Sequence, residues 1–401
     1  MLSGAWKDQV QSARSKVQSQ AAGRWAFDIG PGTSFSEPEL NEITPLLCRL
    51  GAGALAWYKI RNTPLANTRA GEQLHEVYRR QRLSALLHER ELVEVLTLFR
   101  AEGIEAVLVK GWAIASRYPD PALRSYGDLD LCVAPAQFAK AQAVLKRIQT
   151  LDGPFVDLHS GFGKIGVGKQ LRSKTADDWD ELYARSQVVT LEAQRKAQSP
   201  KTKNQSGFPV RILGDEDHLR ILCLHLLRSG ARRPAWFCDV AMLVAEVSSF
   251  KFQVSSSAAG LKPETSNLKF ETRFNWEVCL GRNPVHAKWV GVAIRLAHEL
   301  LDADITQTPF SDLQLPRWLV PAVLKQWGER SELLSPKTKV QSLYALRTRW
   351  DNPIRAVAAV GGQFDERSRL RYRVAELIAR TPEVPDHLRK LWFQQRSVAS
   401  G

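Results

Sequence analysis

The stretch that decides the fold spans residues 108–133 and reads LVKGWAIASRYPDPALRSYGDLDLCV. A β-branched run, Ile104–Val109, leads into it, and it ends in Asp128–Val133, where acidic and apolar residues alternate. Both patterns are typical of short strands, and the segment Trp112–Arg117 between them predicts a helix. The sequence therefore predicts a strand-turn-helix unit followed by a strand that carries two aspartates.

A second helix and a third strand follow directly. The spacing of apolar residues predicts a helix over Pro135–Gln149, and Phe155–His159 is a third short strand candidate. The order strand, helix, strand, helix, strand predicts a compact α/β unit of the kind that places functional groups on strands.

Helical patterns flank this unit on both sides. Apolar residues at steps of three and four predict two to four helices between residues 37 and 100. Four helices are predicted downstream: Asp215–Leu227, Trp236–Val247, Val290–Leu301 and Leu319–Trp327. We expect five segments: a loosely ordered lead-in at 1–36, a helical segment at 37–100, an α/β core at 101–213 with a polar loop at 195–207, a helical domain at 214–330 with a polar loop at 255–272, and a basic helical extension at 331–401.

Composition excludes several protein classes and suggests an anionic partner. The chain has 401 residues, 44% of them hydrophobic, which excludes a wholly disordered protein, and 56 Lys and Arg against 42 Asp and Glu give a net charge of +14. The predicted core does not share this positive charge, because residues 91–160 hold seven basic and nine acidic residues.

The sequence shows no sign of disulfides, secretion or membrane insertion. Five scattered cysteines form no C-x-x-C pair, and there is no signal-peptide core or apolar run of about 18 residues. We expect a cytoplasmic protein without membrane insertion.

The motif D-x-D occurs four times, and its context separates one copy from the others. Three copies, at Asp178/Asp180, Asp215/Asp217 and Asp302/Asp304, lie where helix starts or turns are predicted, so capping explains them. Asp128 and Asp130 instead lie on a predicted strand, where residues i and i+2 project from the same face. Two carboxylates so placed repel each other unless a cation such as Mg²⁺ bridges them.

The third predicted strand offers a further acid. Asp157 joins the pair if its strand neighbours that of Asp130, whereas an edge-strand acid bonded to a loop is the structural alternative. His159 shares the strand face of Asp157, and we expect it to hydrogen-bond an aspartate. For Asp128 and Asp130, the structural alternative is a set of salt bridges with Arg117 and Arg124.

A candidate phosphate site precedes the acidic pair. Lys110 and Gly111 form the turn between the first strand and its helix, where glycine permits close approach by a phosphate and lysine adds a mobile positive charge. Arg124 lies in the connection to Asp128. A phosphate cradle and a metal-binding pair within 20 residues suit a nucleoside triphosphate.

These residues carry a family resemblance. The stretch 108–133, followed by VDLHS at residues 156–160, resembles the uncharacterised nucleotidyltransferase family of the polymerase β-like superfamily. The helical lead-in and EDHLRILCLHLLRSGARRPAWFCDVAMLV at residues 216–244 also resemble that family, so the likeness covers about Glu37 to Trp327 apart from the two polar loops. The resemblance implies an α+β fold, with a small nucleotidyltransferase core between N-terminal helices and a mostly helical C-terminal region.

The resemblance also implies a reaction and a division of roles. Asp128, Asp130 and Asp157 are expected to be catalytic and to bind two Mg²⁺ ions, with Mn²⁺ as a substitute. Lys110, Gly111 and Arg124 are expected to bind the nucleotide. The substrate is then an NTP, whose NMP passes to the hydroxyl of an acceptor that the sequence leaves open: a protein, a tRNA, a sugar phosphate or another small molecule.

Two other functions remain compatible with the sequence. One is a catalytically inactive nucleotide- or RNA-binding regulatory protein with the same fold, and the other is nucleic-acid binding driven by charge alone. In the helical region, we expect a buried hydrogen bond between His225 and Asp239 that locks a helical hairpin.

Overall fold

The chain folds into a five-stranded mixed sheet flanked by helices, which confirms the predicted α+β class. The computed structural model describes residues 36–148, 156–162, 179–191, 207–257, 274–328, 352–359 and 362–368.

Three helices form the N-terminal part, within the predicted range of two to four. They are α1 (Glu37–Arg49), α2 (Gly53–Ile60) and α3 (Arg69–Ala101). Helix α1 begins at a capping box in which Ser36 and Glu39 satisfy each other's backbone N–H groups. The C-terminal half of α3 packs on the sheet through Leu92, Val95, Leu96 and Phe99, whose spacing places them on one helix face.

The sheet has the strand order β3-β2-β1-β5-β4. Its strands are β1 (Ala106–Leu108), β2 (Leu129–Val133), β3 (Val156–Ser160), β4 (Gln187–Leu191) and β5 (Phe208–Ile212). β2 pairs parallel to β3 and antiparallel to β1, which pairs parallel to β5, and β5 pairs antiparallel to β4.

The first three strands match the prediction, whereas β4 and β5 were missed. β4 is an edge strand that exposes most of its residues, including Val188, so its burial does not follow a clear alternation. β5 does alternate, with Phe208, Val210 and Ile212 facing the core, but Pro209 at its second position hides the strand in the sequence. β4 pairs with β5, and β5 also pairs with β1.

Short helices connect the strands. α4 (Trp112–Ala115) is a single turn, shorter than predicted, and α5 (Phe138–Ile148) follows a 3₁₀ turn at Pro135–Gln137. The apolar side chains of β2, Leu129, Leu131 and Val133, pack in one cluster with α3 and α5. The alternate residues Asp128 and Asp130 therefore face away from this cluster.

The C-terminal part is helical, as predicted. Its described helices are α7 (Asp215–Arg228), α8 (Pro234–Ser257), α9 (Trp276–Leu280), α10 (Pro284–Leu301), α11 (Leu319–Gly328) and α12 (Pro353–Ala359), whereas α6 (Trp179–Arg185) precedes β4 within the α/β core. Helices α7, α8, α10 and α11 share a buried core that includes Phe237, Trp289 and Trp327, in keeping with a packing role for tryptophan.

The two predicted polar loops lie almost wholly outside the described residues. Helix α8 continues to Ser257, so the first three residues predicted as the loop 255–272 are helical, and only Gly207 of the loop 195–207 is described. The predicted lead-in and most of 331–401 also lie outside the described residues. Within the described part of the chain, no helix combines the length and apolar character that a membrane span requires.

Candidate active site

The turn between β1 and α4 is the first element of the site. Lys110 and Gly111 both adopt positive φ angles, 63° and 49°, a backbone conformation that a lysine rarely takes. A Cβ atom at Gly111 would lie 3.2 Å from the carbonyl oxygen of Asp128. The turn is therefore packed directly against the strand entry that carries the predicted carboxylates, which is why glycine is required there.

The three predicted carboxylates come together at the neighbouring ends of β2 and β3. Asp130 lies in β2 and pairs in register with Asp157 of β3, while Asp128 is the residue before β2 begins. Asp130 is buried, at 4% exposure, whereas the side chain of Asp157 is 53% exposed. The condition that the sequence left open, namely that the two strands are neighbours, is met.

Lys110 contacts the most buried of these acids. Its Nζ lies 2.9 Å from Oδ1 of Asp130, with both side chains largely shielded from solvent. The lysine predicted to bind phosphate is thus an ion-pair partner of a predicted metal ligand.

His159 joins the carboxylates from the same strand as Asp157. Its Nε2 lies 3.4 Å from Oδ1 of Asp130 and 3.3 Å from Oδ2 of Asp157. This confirms the expected contact between His159 and an aspartate. Asp130, Asp157 and His159 place one ligand atom each within 4.8 Å of one another, so these three residues form a candidate cation site. From the sequence, His159 was expected only to hydrogen-bond an aspartate. Its position two residues after Asp157, on the same strand face, was the signal that it could share a cation site with that carboxylate.

The electrostatics differ between the two strand aspartates. Burial raises the pKa of Asp128 above its ordinary value, with Asp130 and Asp157 adding to the effect. The pKa of Asp130 is lowered: burial opposes this, but the hydrogen bond with His159 and the charge of Lys110 outweigh it. The cluster therefore holds negative charge at Asp130 and resists a second charge at Asp128, an imbalance that a divalent cation would relieve.

A comparison with protein families supplies the assignment. A family model described as an uncharacterised nucleotidyltransferase matches residues 36–266, more than half of the chain. The chain belongs to this nucleotidyltransferase family. No curated protein and no solved structure matches this chain.

The family match includes every site residue described above and ends before helix α9 begins at Trp276. Membership supports nucleotidyl transfer as the general activity. In this member of the family, the D-x-D motif thus ends on strand β2, beside the basic turn formed by Lys110 and Gly111 and inside the matched region.

Arg124 lies behind the basic turn. Its Nε and Nη2 donate to the carboxylate of Asp239 at 2.9–3.1 Å, and its Nη1 donates to the carbonyl oxygen of Gly111 at 3.3 Å. Tyr118 donates to the same carboxylate at 2.7 Å. The structure thus brings Arg124 to the predicted phosphate turn through the backbone of Gly111, with its guanidinium buried against Asp239.

Two sequence-based alternatives are wrong. The predicted hydrogen bond between His225 and Asp239 is replaced by the contacts of Asp239 with Arg124 and Tyr118, because these donors occupy the carboxylate. Salt bridges from Arg117 and Arg124 to the strand aspartates are also replaced: Arg117 pairs with Asp215 and Glu246, and Arg124 with Asp239.

The other D-x-D motifs take structural roles, as predicted, where they are described. Asp215 and Asp217 lie in the first turn of α7, and Asp217 is buried between Arg185 and Arg220. Asp302 ends α10 in a left-handed conformation, and Asp304 caps a turn by accepting from Thr306. Asp180 lies in the first turn of α6, whereas Asp178 is outside the described residues.

Helix α7 contributes two histidines to the back of the site. Nε2 of His218 accepts from the backbone N–H of Lys110 at 3.4 Å, a contact that sequence reasoning missed. Burial, with Arg117 and Arg124 nearby, lowers the pKa of His218 to about 3. Burial and the charge of Lys110 likewise lower the pKa of His225 to about 3. Both rings are therefore neutral at physiological pH, and His218 supports the turn of Lys110 and Gly111 without adding charge.

Proposed function

We propose that this chain transfers an NMP from an NTP to an acceptor hydroxyl and releases pyrophosphate. The acceptor oxygen forms a bond to the α-phosphorus, the bond from that phosphorus to the oxygen bridging to the β-phosphate breaks, and the hydroxyl proton passes to a base. The observation that carries the proposal is the convergence of Asp130, Asp157 and His159 beside Lys110 in a chain of the nucleotidyltransferase family.

The donor set fits a hard divalent cation. Carboxylate oxygens are the preferred ligands of Mg²⁺, and two aspartates in register on adjacent strands place such oxygens side by side. In the proposal, Asp128, Asp130 and Asp157 hold two Mg²⁺ ions, with Mn²⁺ as a substitute, and His159 adds a nitrogen ligand or orients Asp157. When bound, the ions supply neutralisation of the triphosphate charge and polarisation of the reacting oxygens.

Asp157 is suited to meet the acceptor. It is the most exposed carboxylate of the cluster, whereas Asp130 is buried, so an incoming hydroxyl reaches Asp157 first. In the proposal, Asp157 accepts the proton of the acceptor hydroxyl. Its neighbour His159, whose Nε2 lies 3.3 Å away, fixes the orientation of the carboxylate.

The basic turn is suited to grip the phosphates. Lys110 leaves Asp130 when the nucleotide binds and contacts the β- and γ-phosphates, while the Gly111 backbone approaches them without steric obstruction. Arg124, held by Asp239, fixes this turn through the Gly111 carbonyl oxygen and so acts on the phosphates through the position of the turn. Catalysis would then come from positioning and electrostatics, as in phosphoryl transfer generally.

A labelling experiment tests the proposal. The full-length protein is incubated with each α-labelled NTP, Mg²⁺ or Mn²⁺ and pools of protein, tRNA and small-molecule acceptors, and both labelled acceptor and pyrophosphate are measured. We expect Asp130→Asn to reduce both products at least about 100-fold. Asp312→Asn is the matched control, since it makes the same change at an exposed site. Equal labelling by wild type and Asp130→Asn would overturn the proposal.

A further inference from the structure

The turn between α7 and α8, residues 229–233, is held in an unusual conformation. Gly230 and Ala231 both have positive φ angles, 79° and 53°. Their carbonyl oxygens accept hydrogen bonds from two buried side chains of the C-terminal helical part: Asn352 Nδ2 donates to Gly230 at 2.8 Å, and Trp327 Nε1 donates to Ala231 at 2.9 Å. The turn is thus rigid, and its braces lie outside the region that the family model matches.

The same turn borders the candidate active site. His218 and His225 lie seven residues apart on one face of α7, and this face meets Lys110: the Lys110 N–H donates to His218, and the charges of Lys110 and Asp130 both act on the pKa of His225. The His225 ring in turn contacts Trp236 edge-on, with centroids 4.8 Å apart. His225, near the end of α7, thus connects the Lys110 side of this helix with Trp236 at the start of α8.

Two consecutive arginines, Arg232 and Arg233, belong to the turn itself. The Arg233 guanidinium carbon lies 5.3 Å from the centroid of the Trp236 ring. Arg232 is half-buried, and burial together with Arg233 lowers its pKa. Within the described residues, neither arginine lies within salt-bridge distance of a carboxylate, whereas Arg117 and Arg124 both have carboxylate partners. Two adjacent cations at a braced turn repel each other, and an anion bound between them would relieve this repulsion.

We propose that Arg232 and Arg233 form a phosphate-binding subsite at the edge of the active site. Guanidinium groups present paired N–H donors that match phosphate oxygens. The hydrogen bonds from Asn352 and Trp327 fix the backbone of the turn that carries both side chains. The subsite rests on the proposed function, which supplies two sources of phosphate: the triphosphate of the NTP or a phosphate group of the acceptor.

Calorimetric titration of the full-length protein with sodium tripolyphosphate tests the subsite. EDTA is included, so that binding does not require the metal-binding carboxylates. We expect Arg232→Gln and Arg233→Gln each to weaken tripolyphosphate binding about tenfold, which corresponds to the loss of one charge-assisted contact. Arg79→Gln, which removes the same charge from an exposed position on α3, should leave binding unchanged. Equal affinities of wild type and Arg232→Gln would overturn the proposal.

Thermal unfolding separates binding from a structural role. Since Arg232 lies beside the like charge of Arg233 and has no carboxylate partner within the described residues, we expect Arg232→Gln to melt at or above the wild-type temperature in phosphate-free buffer. Tripolyphosphate should raise the melting temperature of the wild type more than that of the variant. A variant that melts lower but gains as much stability from tripolyphosphate as the wild type would assign Arg232 to folding alone and contradict the subsite.

Competition identifies the source of the phosphate. If Mg²⁺ and a non-hydrolysable NTP displace tripolyphosphate from wild type, and Arg232→Gln weakens NTP binding, the subsite serves the NTP. If orthophosphate still binds the NTP-loaded protein and Arg232→Gln abolishes this binding, the subsite serves the acceptor. Arg232-dependent phosphate binding without NMP transfer would reject the proposed function and keep the subsite, whereas transfer with Arg232-independent binding would reject the subsite alone.

Discussion

The ammonium group of Lys110 lies 2.9 Å from Oδ1 of Asp130, the same oxygen that Nε2 of His159 approaches at 3.4 Å. A protein cation thus occupies the position where a metal ion would meet its most buried carboxylate. Under the proposed function, Lys110 and a metal ion would compete for Asp130, and the displaced lysine would be free to reach the phosphates of the nucleotide.

This competition predicts that removing the lysine charge strengthens metal binding. Lys110→Met should increase the affinity for Mn²⁺ alone by about tenfold, because no ammonium needs to leave Asp130, and should weaken Mg²⁺-NTP binding. Titration calorimetry of the apo protein measures both effects. Lys146→Met, an exposed lysine on α5, is the control and should change neither. Weaker Mn²⁺ binding by Lys110→Met would show that the lysine supports the metal site and does not compete for it.

The conformation of the basic turn predicts a strict glycine requirement. Gly111→Ala should lower the free energy of unfolding by about 1–3 kcal/mol and disturb nucleotide binding, because Gly111 has a φ of 49° and its new Cβ would lie 3.2 Å from the carbonyl oxygen of Asp128. Gly127→Ala is a matched control close by, since a Cβ there meets no atom within 4 Å. Urea denaturation of both variants checks this, and equal losses would contradict the assigned role of the turn.

The pair of Arg124 and Asp239 predicts a large loss of stability when one partner is removed. Asp239 is fully buried and Arg124 is 7% exposed, so Arg124→Met leaves a buried carboxylate that, among the described residues, keeps only Tyr118 as a donor. We expect a loss of about 3–5 kcal/mol in the free energy of unfolding, partly recovered by adding Asp239→Asn. Arg282→Met should cost less than about 0.5 kcal/mol, because its side chain is 77% exposed. Recovery in the double variant is the decisive result, since additive losses would argue against a coupled pair.

The buried histidines predict a loss of stability in mild acid. The pKa of His218 is lowered to about 3, whereas an unfolded histidine titrates near about 6.5. Between these values the unfolded chain binds the proton and the folded chain does not, so the stabilisation is complete above about pH 6.5 and falls by up to about 1.4 kcal/mol per pH unit for each such histidine. His225 and His286, with pKa values lowered to about 3 and about 4, act in the same direction.

Urea denaturation between pH 5 and 8 measures this slope. This pH range avoids the titration of Asp130. Because the pKa of Asp130 is lowered, its contribution to stability is lost only below about pH 4. His218→Gln should remove about a third of the slope, while His75→Gln, an exposed histidine stacked on Trp57, should leave it intact. A slope that survives His218→Gln unchanged would contradict the buried neutral state.

The sequence predicted the parts of the site that depend on local pattern. Alternation placed Asp130 and Asp157 on strands within one residue of the observed limits, and the turn at Lys110 and Gly111 was predicted between the first strand and its helix, although its positive φ angles were not. The parts that it missed are tertiary. Arg124 meets Asp239 across 115 residues, and Lys110 meets His218 across 108, so no local pattern reports these contacts. β4 and β5 escaped prediction because β4 is a largely exposed edge strand and β5 contains a proline, and their order comes from pairing with each other and with β1.

The most direct test of the central claim is crystallographic. Crystals of the full-length protein with Mn²⁺ and a non-hydrolysable NTP would be measured at the manganese absorption edge. The account predicts an anomalous peak about 2 Å from carboxylate oxygens of Asp130 and Asp157, with the Lys110 ammonium moved from Asp130 to a phosphate oxygen. A nucleotide bound elsewhere, with Lys110 still on Asp130 and no manganese at the carboxylates, would contradict it.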